Sequence, residues 1–314
     1  MQLITILGQT CSGKSQIAVN LAKKYNAAGL RTWVVSCDSR QVYKEFSISS
    51  GKVFGEWQNY ENTDFKAFYH HGIPHFLIDF VPLSQDYNLA RFVKDFCDLL
   101  LNSNYIPQPD IVILCGGTGL YARAINQKYD LGLVKPEFLN EYENLKTKLQ
   151  TLQISALLQI INQYELLQKN FLALNNSEKN NPPRLVNLIL KEQSREQNWM
   201  EYIIYPKFES QIVYALEIEK ATLIAKIKQR IDERIEAGML TELAELIEKY
   251  GGERIASLGL EGRCGYQYHV EGWSLDKFRN KLYFDTLDYA SRQLTWLDKE
   301  PGLIWITKAE EIFK

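Results

Sequence analysis

Long apolar runs are missing from this 314-residue chain: nothing approaches the about 18 consecutive apolar residues of a membrane span. No membrane partner is expected. A net charge is missing too, with 36 basic against 38 acidic side chains and a balance of −2. Electrostatics therefore do not announce a nucleic-acid binder, and any RNA-binding surface has to be a local basic patch. Cysteine is sparse: Cys11, Cys37, Cys97, Cys115 and Cys264 are scattered without a Cys-x-x-Cys spacing. Most sit in or beside predicted strands and helices, so they read as reduced, small apolar residues. The adjacent His70 and His71 have no third ligand at a suitable spacing and read as solvated loop residues rather than metal ligands. No repeat or low-complexity tract is evident. Met1 runs straight into an apolar strand, which leaves no room for a signal peptide. The composition is that of a cytosolic enzyme, and the length suits about two domains.

Against that plain background, residues 8–15 read Gly-Gln-Thr-Cys-Ser-Gly-Lys-Ser, matching the phosphate-loop pattern G-x-x-x-x-G-K-[ST] at every fixed position. Apolar Leu3–Leu7 leads in as a buried strand and Gln16–Lys24 leads out as an amphipathic helix. The glycines let the backbone curl until several N–H groups face one anion. The helix N-terminus adds partial positive charge, Lys14 neutralises phosphate oxygens, and Ser15 can hold Mg²⁺. The motif names an anion, a di- or triphosphate, and not a reaction.

Two further strand ends point toward the same crevice, since ligands of open parallel sheets lie beyond the carboxyl ends of the strands. Arg31–Ser36 is an apolar strand followed by Cys37-Asp38-Ser39-Arg40-Gln41-Val42-Tyr43. Asp38 there either ligates Mg²⁺ through water, takes a proton from a nucleophile, or caps a helix. Ile111–Cys115 is a central strand ending in Gly116-Gly117-Thr118-Gly119, where glycines allow close backbone approach and Thr118 carries the one side-chain hydroxyl.

The wider pattern predicts an α/β fold: a P-loop NTPase-like parallel sheet flanked by helices, with a helical insertion. Residues 1–126 and 202–314 form the core, with strands also at His75–Phe80 and Leu303–Ile306, and helices at Leu89–Leu101 and Lys220–Ala237. Segment 45–73 reads as a long connection. Residues 127–201 form the insertion: leucine spacing predicts helices over Leu139–Leu152 and Ile154–Leu174. A polar break follows at Asn175–Asn181, then a helix Arg184–Gln193 opened by Pro182 and Pro183. Lys226, Lys228, Arg230 and Arg234 crowd the long helix, a run that usually marks a solvated face.

Together these segments resemble the tRNA dimethylallyltransferases, also called tRNA isopentenyltransferases. The matching residues are Gly8–Ser15 including Thr10, Asp38–Tyr43, Pro74–Asp79, Gly116–Tyr121, Arg230, and Arg292–Trp296, in the family's order and over nearly the whole chain. The resemblance implies transfer of a prenyl group from dimethylallyl diphosphate to N6 of adenosine 37 in tRNA. The partner is then the anticodon stem-loop, and the default state is a cytoplasmic monomer. It implies diphosphate binding by Gly8, Gln9, Thr10, Cys11, Ser12, Gly13, Lys14 and Ser15, with Mg²⁺ on Ser15. Catalysis would fall to Thr10, Lys14, Asp38 and Arg230. Contacts to tRNA would come from Asp38, Ser39, Arg40, Gln41, Thr118 and Arg184, with the insertion as the tRNA clamp, to which Lys169 and Lys179 could add.

Three positions depart from the family pattern: Ser291 for a lysine, Asn187 for an arginine, and Arg40 for a smaller or apolar residue. They bear on tRNA affinity more than on the transfer chemistry. The other readings are an adenylate isopentenyltransferase using a free nucleotide, a P-loop nucleoside or metabolite kinase, and a non-catalytic RNA-binding protein.

Overall fold

The computed structural model describes residues 1–101 and 106–313, in two compact units: Met1–Tyr129 with Tyr205–Lys314, and Asp130–Ile204. The first unit begins with β1 (Gln2–Gly8), α1 (Lys14–Ala27), β2 (Thr32–Ser36), β3 (Glu56–Asn59), β4 (Lys66–His70), β5 (Ile73–Phe76), α2 (Leu89–Leu101), β6 (Ile111–Cys115) and α3 (Gly119–Asn126). Every residue of β2 and β6 is buried, as are six of the seven in β1. Apolar residues on both faces are what a central parallel strand requires.

Segment 45–73 is not one long connection. It holds β3 and β4, an antiparallel pair that continues into antiparallel pairing of β4 with β5. The strand expected at His75–Phe80 ends at Phe76, because Leu77 (φ 54°) and Asp79 (φ 55°) adopt left-handed conformations that break the ladder. His70 accordingly lies in β4, with Nδ1 against the Phe54 carbonyl at 2.6 Å, rather than in a solvated loop.

The second unit contains β7 (Gly132–Val134), α4 (Leu139–Gln150), α5 (Ile154–Asn162), α6 (Glu165–Leu172), α7 (Asn176–Lys179), α8 (Pro182–Glu196) and β8 (Met200–Tyr202). The β7–β8 pair is antiparallel. The helices share their own core, with Leu149, Leu157, Ile161 and Leu167 packed on Leu185, Val186, Ile189 and Leu190 of α8. The single helix expected over 154–174 is two, and the polar break contains α7, which Asn175 and Glu178 close with a reciprocal capping box. Pro182 occupies the first turn of α8, where its missing N–H costs nothing, so that helix starts two residues earlier than expected.

The first unit resumes with β9 (Ser210–Leu216), α9 (Lys220–Glu236), α10 (Met239–Tyr250), α11 (Gly252–Ala256), α12 (Leu260–His269), α13 (Leu275–Leu297) and β10 (Leu303–Ile306). Its sheet runs β10-β9-β1-β6-β2-β5-β4-β3, the first six strands parallel. β6 lies between β1 and β2, so three neighbouring strands end side by side. α1 buries Ala18, Val19, Leu21 and Ala22 against Ile4, Ile6, Val34 and Ile113. Each fully buried valine, leucine or isoleucine there contributes roughly 1.5–3 kcal/mol.

Candidate active site

The carboxyl ends of β1, β6 and β2 supply the phosphate loop, the glycine turn and the Asp38 loop. Gly13 caps α1 at φ +96°, a conformation that would strain any side chain, and turns the loop into the helix. No acidic residue stands in the first turn of α1 to compete for an anion. Lys14 Nζ reaches the Gln9 carbonyl at 3.3 Å, and burial holds its pKa below the ordinary lysine value. Ser12 Oγ is buried with no hydrogen-bond partner. An orphaned hydroxyl and a desolvated ammonium in one loop fit a bound phosphate.

Arg230 comes from α9, donating to Cys11 Sγ at 3.6 Å and to the Gly51 carbonyl at 3.0 Å. Lys226 and Lys228 are exposed. Arg234 departs from the solvated reading: its guanidinium is drawn inward to the Ile48 carbonyl at 2.8 Å and to Glu261 at 3.2 Å. Burial lowers its pKa.

Asp38 caps no helix, since none follows it. Its Oδ1 accepts the backbone N–H groups of Arg40 at 2.9 Å and Gln41 at 3.3 Å, shaping a tight turn. Ser39 N–H donates to Thr118 Oγ1 at 3.0 Å, and Gln41 Nε2 donates to the Gly51 carbonyl at 3.2 Å. Arg40 is half-buried, its guanidinium lying across Gly259. Asp38, Ser39, Arg40 and Thr10 line one cavity of about 250 Å³ with Glu261 and Tyr289.

A second cavity, about 240 Å³, is lined by Gly8, Gly117, Thr118, Leu120, Trp296 and Leu297, with Tyr289 again in its wall. Gly119 is needed there, because a Cβ would sit 2.3 Å from the Trp296 ring. α13 closes this side through Gln293, whose Oε1 accepts the Thr10 N–H at 2.7 Å and whose Nε2 donates to the Gly117 carbonyl at 2.9 Å. Gln293 and Tyr289 were not among the expected site residues. The one sequence signal for Gln293 is its place in the Arg292–Trp296 segment.

The buried thiols beside the site stay protonated: burial pushes Cys115 up to about 11 and Cys37 well above its usual value. All five cysteines are free. Among the described residues no cluster of three or more His, Cys, Asp or Glu side chains could hold a metal ion. A Mg²⁺ at Ser15 would instead take its remaining ligands from phosphate oxygens and water, as this ion commonly does.

Arg184 belongs to the second unit, exposed and paired with Glu178 at 2.8 Å. Lys179 of the same unit lies over the Phe171 ring, 5.6 Å from its centre. Asn187 and Ser291 are both exposed. No helix among the described residues is long and apolar enough to cross a membrane.

This geometry has relatives. The IPP transferase family model matches residues 41–300, and the isopentenyl transferase model matches residues 1–62. The tRNA dimethylallyltransferase of Carboxydothermus hydrogenoformans is 28% identical over 99% of this chain and 93% of its own length. The tRNA dimethylallyltransferase 1 of Syntrophus aciditrophicus is 30% identical over 97% of this chain and 93% of its own length. The crystal structure of the full-length tRNA isopentenylpyrophosphate transferase of Bacillus halodurans superposes with a TM-score of 0.64 at 24% identity, covering 99% of this chain and 94% of that one. A eukaryotic dimethylallyltransferase acting on tRNA gives 0.67 at 21% identity, over 99% of this chain and 75% of that one. At these identities the structural likenesses establish the fold.

Proposed function

This chain belongs to the IPP transferase family, and on that premise we propose that it transfers the dimethylallyl group of dimethylallyl diphosphate to N6 of adenosine 37 in tRNA, releasing diphosphate. One observation carries the reading. A phosphate loop and a carboxylate stand at the carboxyl ends of β1 and β2 in one parallel sheet, with only β6 between them, and Thr10 of that loop and Asp38 share a cavity wall.

The C1–O bond to diphosphate breaks as the C1–N6 bond forms, so negative charge grows on the diphosphate oxygens. The N–H groups of the Gly8–Ser15 loop other than those of Thr10 and Ser12, which Gln293 and the Gln9 carbonyl hold, are the donors for that charge together with the Lys14 ammonium and the Arg230 guanidinium. Ser15 would hold Mg²⁺ together with the diphosphate, where the ion supplies further neutralisation of the leaving group. The adenine amine is a weak nucleophile because its lone pair is delocalised into the ring. Asp38 holds the N6 hydrogens and accepts one proton as the bond forms. The apolar cavity of Leu120, Trp296 and Leu297 suits the five-carbon chain. A stacked base cannot reach Asp38, so the target adenosine is flipped into the cavity that Asp38, Ser39 and Arg40 line, with Gln41 and Thr118 of the adjoining loops helping to hold it.

The helical unit, with Arg184, grips the anticodon stem, and the protein works as a cytoplasmic monomer. A free nucleotide is the second acceptor to consider, since the isopentenyl transferase match over residues 1–62 names no acceptor. Against it, the matched tRNA dimethylallyltransferases extend through the helical unit, which a free nucleotide does not need. Labelled dimethylallyl diphosphate offered with tRNA, AMP or buffer separates the readings: label is expected in tRNA. Label in AMP alone, or ATP consumption without prenyl transfer, overturns the proposal.

A further inference from the structure

Gln293 ties together the two loops that the reaction must hold at a fixed separation. It is buried on α13, with its acceptor on the Thr10 N–H at 2.7 Å and its donor on the Gly117 carbonyl at 2.9 Å. Gln9 returns a bond to the same helix, Nε2 to the Ala290 carbonyl at 2.9 Å. Beyond Gly117, Thr118 Oγ1 accepts the Ser39 N–H at 3.0 Å, and Asp38 follows in the same loop. A continuous path therefore runs from the phosphate loop through one primary amide to the loop carrying the carboxylate. A primary amide offers both an acceptor and a donor; glutamate keeps the shape and loses the donor, and leucine loses both.

We propose that Gln293 is a positioning residue for the transfer: it sets the separation of the diphosphate-holding loop from the acceptor-holding loop. Both hydrogen bonds of its amide go to loop backbone. The inference rests on the prenyl-transfer reading above. Its energetic basis is that reacting atoms must meet at about 3–3.5 Å, and a misplacement of about 1 Å costs on the order of 10²-fold in rate. A residue that only stabilised the fold would lower the amount of active enzyme and leave the rate per folded molecule intact.

The test compares wild type, Gln293→Leu and Gln293→Glu as full-length proteins, with kcat and both KM values measured per folded molecule. The Leu variant should lose roughly 10²-fold in kcat with each KM within about threefold of wild type. In the Glu variant a carboxylate faces the Gly117 carbonyl, and burial together with that facing oxygen raises its pKa against the pull of the nearby Lys14 ammonium. Protonation restores the donor, so the ratio of Glu-variant to wild-type kcat should climb as pH falls from about 8.5 to 5.5. A folded Leu variant with kcat within about threefold of wild type, or a ratio flat with pH, overturns the inference. If the Leu variant does not fold, the ratio decides alone. If wild type labels AMP instead of tRNA, the same comparison is made with AMP. Wild type that labels no acceptor defeats the functional reading and this inference with it. Unchanged variants beside an active wild type defeat the inference alone.

Discussion

Arg230 donates to the sulfur of Cys11 at 3.6 Å, joining α9 to the middle of the phosphate loop across 219 residues of chain. Its other terminal nitrogen holds the Gly51 carbonyl at 3.0 Å, so the planar fork spans two loops at once. Arg230→Ala should lower the transfer rate by about 10²–10³-fold, the scale for losing one donor to developing charge. Arg230→Lys should recover only part of this, because an ammonium cannot reproduce the fork. Steady-state kinetics against dimethylallyl diphosphate check it; an Ala variant at wild-type rate would remove Arg230 from the leaving-group site.

Asp38→Asn tests the proton acceptor with little structural disturbance. The amide oxygen of asparagine can still accept from Arg40 and Gln41, so the turn should persist. Binding of tRNA and dimethylallyl diphosphate should survive while turnover falls by about 10²-fold or more. Turnover close to wild type would leave Asp38 as a turn-forming residue only.

His75 gives a stability prediction. It is buried in β5 with Nδ1 against the Ile73 carbonyl at 2.9 Å, and burial lowers its pKa to about 4. In the unfolded chain a histidine titrates near 6.5, roughly its ordinary value. Above that pH both states are neutral there. Between about 6.5 and 4 the unfolded chain binds a proton that the folded one does not, so stability falls with falling pH by about 1.4 kcal/mol per unit. Urea denaturation of His75→Gln across that window should show a flatter decline. An unchanged slope would assign the acid sensitivity to other groups.

Contacts to tRNA phosphates should be few, since the chain carries no basic excess and Asn187 brings no charge to α8. Each neutralised phosphate adds about one unit to the slope of log affinity against log salt. Wild type should therefore show a shallow slope, and Arg184→Ala should weaken tRNA binding and flatten it by about one unit more. Anisotropy titrations with an anticodon stem-loop measure both; an identical slope in the variant would free Arg184 from phosphate contact.

What the sequence determined by itself was local. Five apolar residues at Ile111–Cys115 are a strand in the structure to the residue, because burial on both faces leaves no polar alternation to blur its ends; the four at Leu303–Ile306 are also a strand to the residue, although only Ile306 is buried. The phosphate loop was legible from glycine spacing for the same kind of reason: its conformation is set by the residues within it. The tertiary structure decided what depends on partners far along the chain. β3 is exposed at all four residues and takes its identity only from pairing with β4, so its composition carries no strand signal. Arg234 sits in a charged run that reads as solvated until Glu261 and the Ile48 carbonyl draw it inward. Gln293 meets Thr10 across 283 residues. A primary amide looks the same in sequence whether it faces water or clasps two loops, and only the packing of α13 against the sheet selects between them.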